Sequence, residues 1–179
     1  MTFQRLLLPL LFSASALLTA CSGDSTDTAN TAADVPSMIA ASAKDPGTTM
    51  YQDLEGRGFD LSAFKGKKVF VNYWATWCAP CIREIPAITN AANTLEPENF
   101  VFLFASDEKP ETISTFLEER AFDGNFVKLN GYFGSHGIVA VPSSLLYDEE
   151  GTLVKTWAGA FEWDTPEMLA EIRDAAIVP

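Results

Sequence analysis

One apolar segment, Val69–Trp74, leads directly into a pair of cysteines, and this junction is the strongest constraint on the fold. The segment is a nearly continuous run of β-branched and aromatic residues, a pattern typical of a strand that is covered on both faces. Helix formers with regularly spaced apolar side chains follow from Pro80 to about Leu95, and a second apolar run covers Phe100–Phe104. The sequence therefore predicts a strand–helix–strand unit around a central parallel strand.

The alternation of strand and helix patterns extends over most of the remaining chain. The predicted elements are a small hairpin within residues 51–64, a helix at Glu111–Ala121, a short strand at Phe126–Leu129, two hairpin strands at Ser144–Tyr147 and Leu153–Trp157, and a last helix capped by Asp164 or Thr165. Because the closing hairpin is antiparallel, we expect an α/β fold with a mixed central sheet and helices on both faces.

Acidic residues outnumber basic ones, with 24 Asp plus Glu against 12 Lys plus Arg. The net charge of -12 would repel a polyanion, which argues against nucleic acid as a partner. The composition, 47% hydrophobic and 20% charged over 179 residues, is typical of a globular chain with one sizeable core. We expect one monomeric domain at residues 49–179, with no cofactor.

The N-terminus has the pattern of an export signal. Arg5 precedes an apolar run at Leu6–Leu18, which spans only about 20 Å as a helix and is short for a membrane core of about 30 Å. The run ends in Leu18-Thr19-Ala20-Cys21, which resembles the lipobox of bacterial lipoproteins. The resemblance implies that residues 1–20 are removed and that Cys21 carries lipid. An ordinary signal peptide with an incidental cysteine is the alternative.

Residues 21–48 are rich in Ser, Thr, Ala and Asp, and they contain no aromatic side chain. A segment with so little apolar surface does not recover the entropy of ordering through burial. We therefore expect a flexible tether. A coil of about 27 residues has a typical end-to-end distance of about 30 Å, which would lift the domain off a membrane surface.

The motif Trp77-Cys78-Ala79-Pro80-Cys81 lies where the predicted strand ends and the helix begins. Open α/β sheets place their sites at this edge. Two cysteines on one helical turn reach the Cα separation of about 5.5 Å that a disulfide requires. Cys78 faces the unpaired N–H groups of the helix start, which favour a thiolate. We therefore predict Cys78 as the nucleophile and Cys81 as the resolving thiol.

The segment Val71–Pro86, with its helix proline five residues after the second cysteine, resembles the thioredoxin superfamily and more closely the TlpA/ResA-like disulfide reductases. The resemblance covers most of Tyr51–Ile177. It implies a thioredoxin-like fold and a thiol:disulfide oxidoreductase. It also implies that Pro142 is a cis-proline beside the disulfide, with Val141 supplying backbone groups to which an extended substrate segment pairs.

Three further residues near the cysteines carry expectations. Asn72 stands where thioredoxins have a buried Asp, and it cannot accept a proton. Glu84 matches a glutamate of the TlpA/ResA-like segment, and our hypothesis is that it tunes the Cys81 thiol and helps to move its proton; the alternative is a surface glutamate. Trp77 belongs either to the substrate surface or to the core.

Two other classes of function remain open from the sequence. The CxxC pair could bind zinc or copper, and a copper-binding or chaperone module would use Cys78, Cys81 and His136, the sole histidine. A closed zinc site would need carboxylates as well, because the chain has no second CxxC, and we predict no metal site. The third possibility is a binding module with an inert structural disulfide.

The resemblance also implies a setting for the enzyme. It favours protein disulfide reduction at a bacterial cell envelope, on the periplasmic or extracytoplasmic side, although an oxidising compartment would itself suggest oxidation. The partners implied are protein disulfides and thiols, apocytochrome c cysteines among them, a membrane electron donor for re-reduction, and the membrane that holds the lipid on Cys21.

Overall fold

The computed structural model describes residues 34–177. The signal peptide predicted at residues 1–20, the lipid-bearing Cys21 and the first part of the tether lie outside the described residues. Within residues 34–177, no helix has the length and apolar character needed to span a membrane.

The described residues form four α-helices and seven β-strands. In chain order these are α1 (Val35–Ser42), β1 (Tyr51–Gln52), β2 (Gly58–Phe59), β3 (Lys68–Tyr73), α2 (Ala79–Leu95), β4 (Phe100–Ser106), α3 (Pro110–Arg120), β5 (Asn125–Leu129), β6 (Ser143–Tyr147), β7 (Leu153–Ala158) and α4 (Pro166–Ala175). The strands form one sheet in the order β2-β1-β5-β4-β3-β6-β7. Strand β3 pairs with β4 in parallel and with β6 antiparallel, so the sheet is mixed, as predicted.

The side chains of β3 alternate between two hydrophobic cores, one on each face of the sheet. Phe70 lies in the core that is covered by helices α2, α3 and α4, whose buried contacts include Ile85, Ile113 and Ile172. Val69 and Val71 lie in the second core. This two-sided burial explains why the sequence of β3 is a continuous apolar run. Because β3 is held from both faces, the cysteine motif that follows it starts from a well-fixed position.

Helix α1 covers part of the second core, and here the structure differs from the sequence analysis, which assigned residues 21–48 to a tether. Val35 and Ile39 are buried in this core, four residues apart on one face of the helix. The carboxylate of Asp34 caps the helix by accepting a hydrogen bond from the backbone N–H of Ser37 at 3.3 Å. The ordered domain therefore begins before residue 49, because these buried side chains offset the entropy of ordering the segment.

Candidate functional site

Cys78 is the N-cap residue of α2, at the point where the chain leaves β3. Its backbone N–H donates to the carbonyl oxygen of Ala75 at 3.0 Å and closes a turn. Its sulfur accepts a hydrogen bond from the backbone N–H of Cys81 at 3.3 Å. Cys78 is 4% exposed and Cys81 is fully buried, so Cys78 is the more accessible of the two. An anionic sulfur at this position is stabilised by the free N–H groups and the dipole of the helix.

The two cysteines form a disulfide across the first turn of α2, with their Cα atoms 5.3 Å apart. This separation lies within the ordinary range for disulfides, so the bond requires no displacement of the backbone. The predicted redox pair is therefore brought together, in its oxidised form.

The loop that precedes β6 reaches the same edge of the sheet. The peptide bond between Val141 and Pro142 is cis, which confirms the predicted geometry of Pro142. The next residue, Ser143, is the register partner of Tyr73, the last residue of β3. Pro142 immediately precedes β6, so it lies at the end of the sheet where β3 leads into the cysteine motif. Val141 is partly buried and contacts both cores.

Glu84 is buried rather than placed on the surface, with 4% of its area exposed. Its carboxylate accepts hydrogen bonds from Asn72 Nδ2 at 2.9 Å, from Trp163 Nε1 at 2.8 Å and from the backbone N–H of Phe161 at 3.2 Å. Burial raises the pKa of Glu84 above its ordinary value, and these three donors act in the opposite direction because they favour the charged form. The alternative of a surface glutamate is wrong.

We expect Glu84→Gln to change how the free energy of unfolding depends on pH. Because the pKa of Glu84 is raised in the folded chain, its contribution to stability is fully present below 4.5, the ordinary value, and is lost as the pH rises through the folded value. Wild type should therefore lose stability relative to Glu84→Gln as the pH rises through that window. Chemical denaturation of both proteins at a series of pH values measures the difference, and two parallel curves would contradict the prediction.

Trp77 is 68% exposed, which excludes a role in filling the core. It occupies the turn that Cys78 closes, between the strand and the helix. Val139, three residues before the cis-proline, is 96% exposed, and Phe161 in the loop after β7 is 36% exposed. Large apolar side chains in such exposed positions commonly belong to interaction surfaces. These three exposed residues lie in the loops that adjoin the cysteines, the cis-proline and Glu84.

The contacts of the sole histidine do not favour the copper alternative. The Nε2 atom of His136 lies 2.6 Å from the backbone oxygen of Asn130, which occupies that nitrogen. Between residues 34 and 177, no three His, Cys, Asp or Glu side chains are grouped closely enough to hold a metal ion.

Two carboxylates at the end of β4 contact the loops of the site, and neither was predicted from the sequence. Glu108 accepts hydrogen bonds from the backbone N–H and the hydroxyl of Thr76, each at 2.7 Å. Asp107 accepts a hydrogen bond from the backbone N–H of Phe133 at 3.1 Å. A signal for them was present, because polar residues that directly follow a buried parallel strand lie at the edge where α/β sheets place their sites.

Comparison with known proteins identifies the family. A sequence profile of the AhpC/TSA family matches residues 39–177. The chain belongs to the AhpC/TSA family. The thiol-disulfide oxidoreductase ResA of Bacillus thuringiensis subsp. konkukian is 34% identical over 128 residues, covering 66% of this chain and 69% of the relative. The chain is accordingly a thiol–disulfide oxidoreductase, as the resemblance implied.

Solved structures bear out the thioredoxin-like fold of this AhpC/TSA domain. A thiol:disulfide interchange protein from Bacteroides sp. is 25% identical and matches with a TM-score of 0.60, covering 75% of this chain and 90% of that protein. The pneumococcal exposed lipoprotein thioredoxin from Streptococcus pneumoniae is 25% identical, with a TM-score of 0.52 and coverage of 68% and 96%.

Proposed function

We propose that this oxidoreductase reduces protein disulfides outside the cytoplasm while a lipid on Cys21 holds it at a membrane. The observation that carries the chemical part is the position of Cys78, whose sulfur caps α2 and lies in a disulfide with Cys81. The reduced pair at this position combines a stabilised thiolate with a second thiol one turn away.

In the proposed reaction, the Cys78 thiolate attacks one sulfur of a substrate disulfide. The substrate S–S bond breaks, a mixed disulfide forms, and one substrate sulfur leaves as a thiolate. Cys81 then loses its proton and attacks the Cys78 sulfur, which forms the protein disulfide and releases the second substrate thiolate. Two electrons pass from the protein to the substrate, whose two sulfurs take up protons. A membrane electron donor would return the Cys78–Cys81 disulfide to the dithiol.

Glu84 is our candidate for the group that takes the proton of Cys81. It lies one helical turn after Cys81, and its raised pKa brings a buried carboxylate closer to the range in which proton exchange is efficient at neutral pH. Asn72 has no acidic proton, but its amide donates to Glu84 and orients the carboxylate. Glu84 would thus fulfil the role that the buried Asp has in the thioredoxins that the segment resembles.

The substrate surface that we propose consists of Trp77, Val141 and Pro142. An extended substrate segment could pair with the backbone at Val141, because β-strand addition uses exposed backbone groups next to a sheet. The exposed indole of Trp77 would supply apolar contact beside the attacking sulfur. Apocytochrome c is one candidate substrate, because its cysteines must be reduced before haem is attached.

The direction of the reaction is tested by the reduction potential of the Cys78/Cys81 couple. For a reductase we expect a strongly negative value, near the roughly -270 mV of thioredoxin. Equilibration with glutathione or dithiothreitol buffers, followed by alkylation and mass spectrometry, measures it. A value as high as the roughly -120 mV of a dedicated disulfide donor would contradict the reductase direction and leave the exchange chemistry intact.

Lipid attachment is tested separately in a bacterial host. We expect the mature protein to begin at Cys21 with a diacylglycerol group, and to fractionate with membranes. The variant Cys21→Ser should remain unprocessed or appear in the soluble fraction, while its purified domain reduces insulin at the wild-type rate. The support for this proposal is the lipobox pattern and the likeness to a protein described as an exposed lipoprotein. A mature wild-type chain without lipid would refute the anchor.

A further inference from the structure

The turn Ala75–Cys78 presents the exposed Trp77 and the attacking sulfur, yet the Trp77 side chain does little to fix it. With 68% of its area exposed, the indole of Trp77 contributes little packing to the turn. Within the turn, the bond from the Cys78 N–H to the Ala75 oxygen closes the ends at 3.0 Å. The two central residues, Thr76 and Trp77, need another restraint if the turn is to keep one geometry.

Glu108 provides that restraint from the end of the neighbouring strand. Its Oε2 accepts the backbone N–H of Thr76 and its Oε1 accepts the Thr76 hydroxyl, so both donors of one residue bind one carboxylate. The hydroxyl of Ser106 also donates to Oε2, at 3.1 Å. Hydrogen bonds to an ionised group are shorter and about twice as strong as neutral ones, and the two contacts of 2.7 Å are of this kind.

The base of this arrangement is rigid. Strand β4 is buried along its whole length, and Trp74 N–H donates to the oxygen of Ala105 at 3.0 Å, which extends the pairing of β3 with β4 up to the start of the turn. Glu108 follows β4 by two residues. The sheet therefore opposes a displacement of the Glu108 carboxylate. Through its hydrogen bonds to this carboxylate, Thr76 is held in a fixed position relative to the central strands.

We propose that Glu108 is a positioning residue for thiol–disulfide exchange, because its carboxylate holds the turn that presents Trp77 and the Cys78 sulfur to a substrate disulfide. The inference rests on the proposed attack by Cys78. Glu108 acts through Thr76 and has no contact with either sulfur among its hydrogen bonds. A turn that samples several geometries would meet a protein disulfide in a productive orientation less often, which should raise KM more than it lowers kcat.

The test compares insulin reduction by matched variants with dithiothreitol as the electron source. In Glu108→Gln one acceptor oxygen is replaced by an NH2 group that faces a donor, so we expect kcat/KM to fall about tenfold, mostly through KM. Thr76→Val loses the hydroxyl and keeps the shape, and it should lose about threefold to tenfold. Thr76→Ser keeps both donors and should stay within about twofold of wild type.

Further measurements distinguish the loss of the Glu108–Thr76 hydrogen bonds from effects of charge and of general stability. Glu111→Gln removes one negative charge from an exposed position in the first turn of α3 and should leave kcat/KM within about twofold of wild type. The double variant Glu108→Gln/Thr76→Val should lose no more than Glu108→Gln alone, since both changes break one unit. Thermal unfolding of each variant shows whether a loss of activity merely follows a loss of folded protein.

Several outcomes would overturn the inference. These are a Glu108→Gln enzyme within about twofold of wild type, losses that multiply in the double variant, or a fall in kcat alone with KM unchanged. If Glu108→Gln does not fold, the pair Thr76→Val and Thr76→Ser decides the matter through the same KM readout. A folded wild-type protein that fails to reduce insulin would instead refute the proposed function, which keeps the two failures distinct.

Discussion

Cys78→Ser is expected to abolish reduction of insulin, with a loss of at least about 1000-fold, because a serine hydroxyl is not ionised at neutral pH and cannot attack a disulfide. Cys81→Ser should give a different result. Its Cys78 thiolate can still attack, but no second thiol resolves the mixed disulfide, so a covalent complex with substrate should accumulate.

The two variants are compared by turnover assays and by non-reducing electrophoresis after mixing with an oxidised substrate. A band that disappears on reduction is expected for Cys81→Ser and not for Cys78→Ser. If Cys81→Ser lost attack and Cys78→Ser retained it, the roles of the two cysteines would be reversed. Equal and full activity of both variants would show that the pair is an inert structural disulfide.

Trp163→Ala is expected to lower the free energy of unfolding by about 3–5 kcal/mol. Trp163 has no exposed surface, and its ring contacts those of Phe70 and Trp157 at centroid distances of 5.0 and 5.5 Å. The substitution would leave a cavity among these rings. It would also remove the Nε1 donor, which bonds the buried carboxylate of Glu84 at 2.8 Å.

The companion variant Trp163→Phe separates these two effects. It keeps most of the aromatic volume but loses the donor, for which we expect a cost of about 1–3 kcal/mol and a further rise in the pKa of Glu84. Trp77→Ala is the matched control for stability, because this tryptophan is 68% exposed and should change the unfolding free energy by less than about 0.5 kcal/mol. Urea denaturation of the four proteins measures all of these values. Similar losses for Trp163→Ala and Trp77→Ala would contradict the packing argument.

Much of the fold could be predicted from the sequence because its strongest signals are local. The two-sided burial of β3 appears in the sequence as a continuous apolar run, and the observed strand differs from the predicted segment by one residue at each end. The start of α4 follows from its cap, where the Thr165 hydroxyl accepts a hydrogen bond from the N–H of Met168 at 3.2 Å, with a proline in the first turn.

The features that the sequence analysis missed depend on contacts between distant residues. Helix α1 is ordered by two apolar side chains that pack against the sheet, and a segment of eight residues with so weak a pattern has little helical tendency of its own. The hydrogen bonds that Trp163 donates to Glu84 and that Thr76 donates to Glu108 join residues 79 and 32 positions apart. No periodicity in a sequence marks such pairs, since they result from the approach of loops at one edge of the sheet.

The short span of the Cys78–Cys81 bond has a thermodynamic consequence. A cross-link between residues three apart restricts the unfolded chain little, so its entropic contribution to stability is only about 2 kcal/mol. The oxidised and reduced domains and their two unfolded forms make a closed cycle. The extent to which folding favours the reduced pair must therefore equal the difference between the unfolding free energies of the reduced and oxidised forms. Calorimetry on the two redox forms thus measures the same free energy as the difference between the reduction potentials of the folded and the unfolded chain.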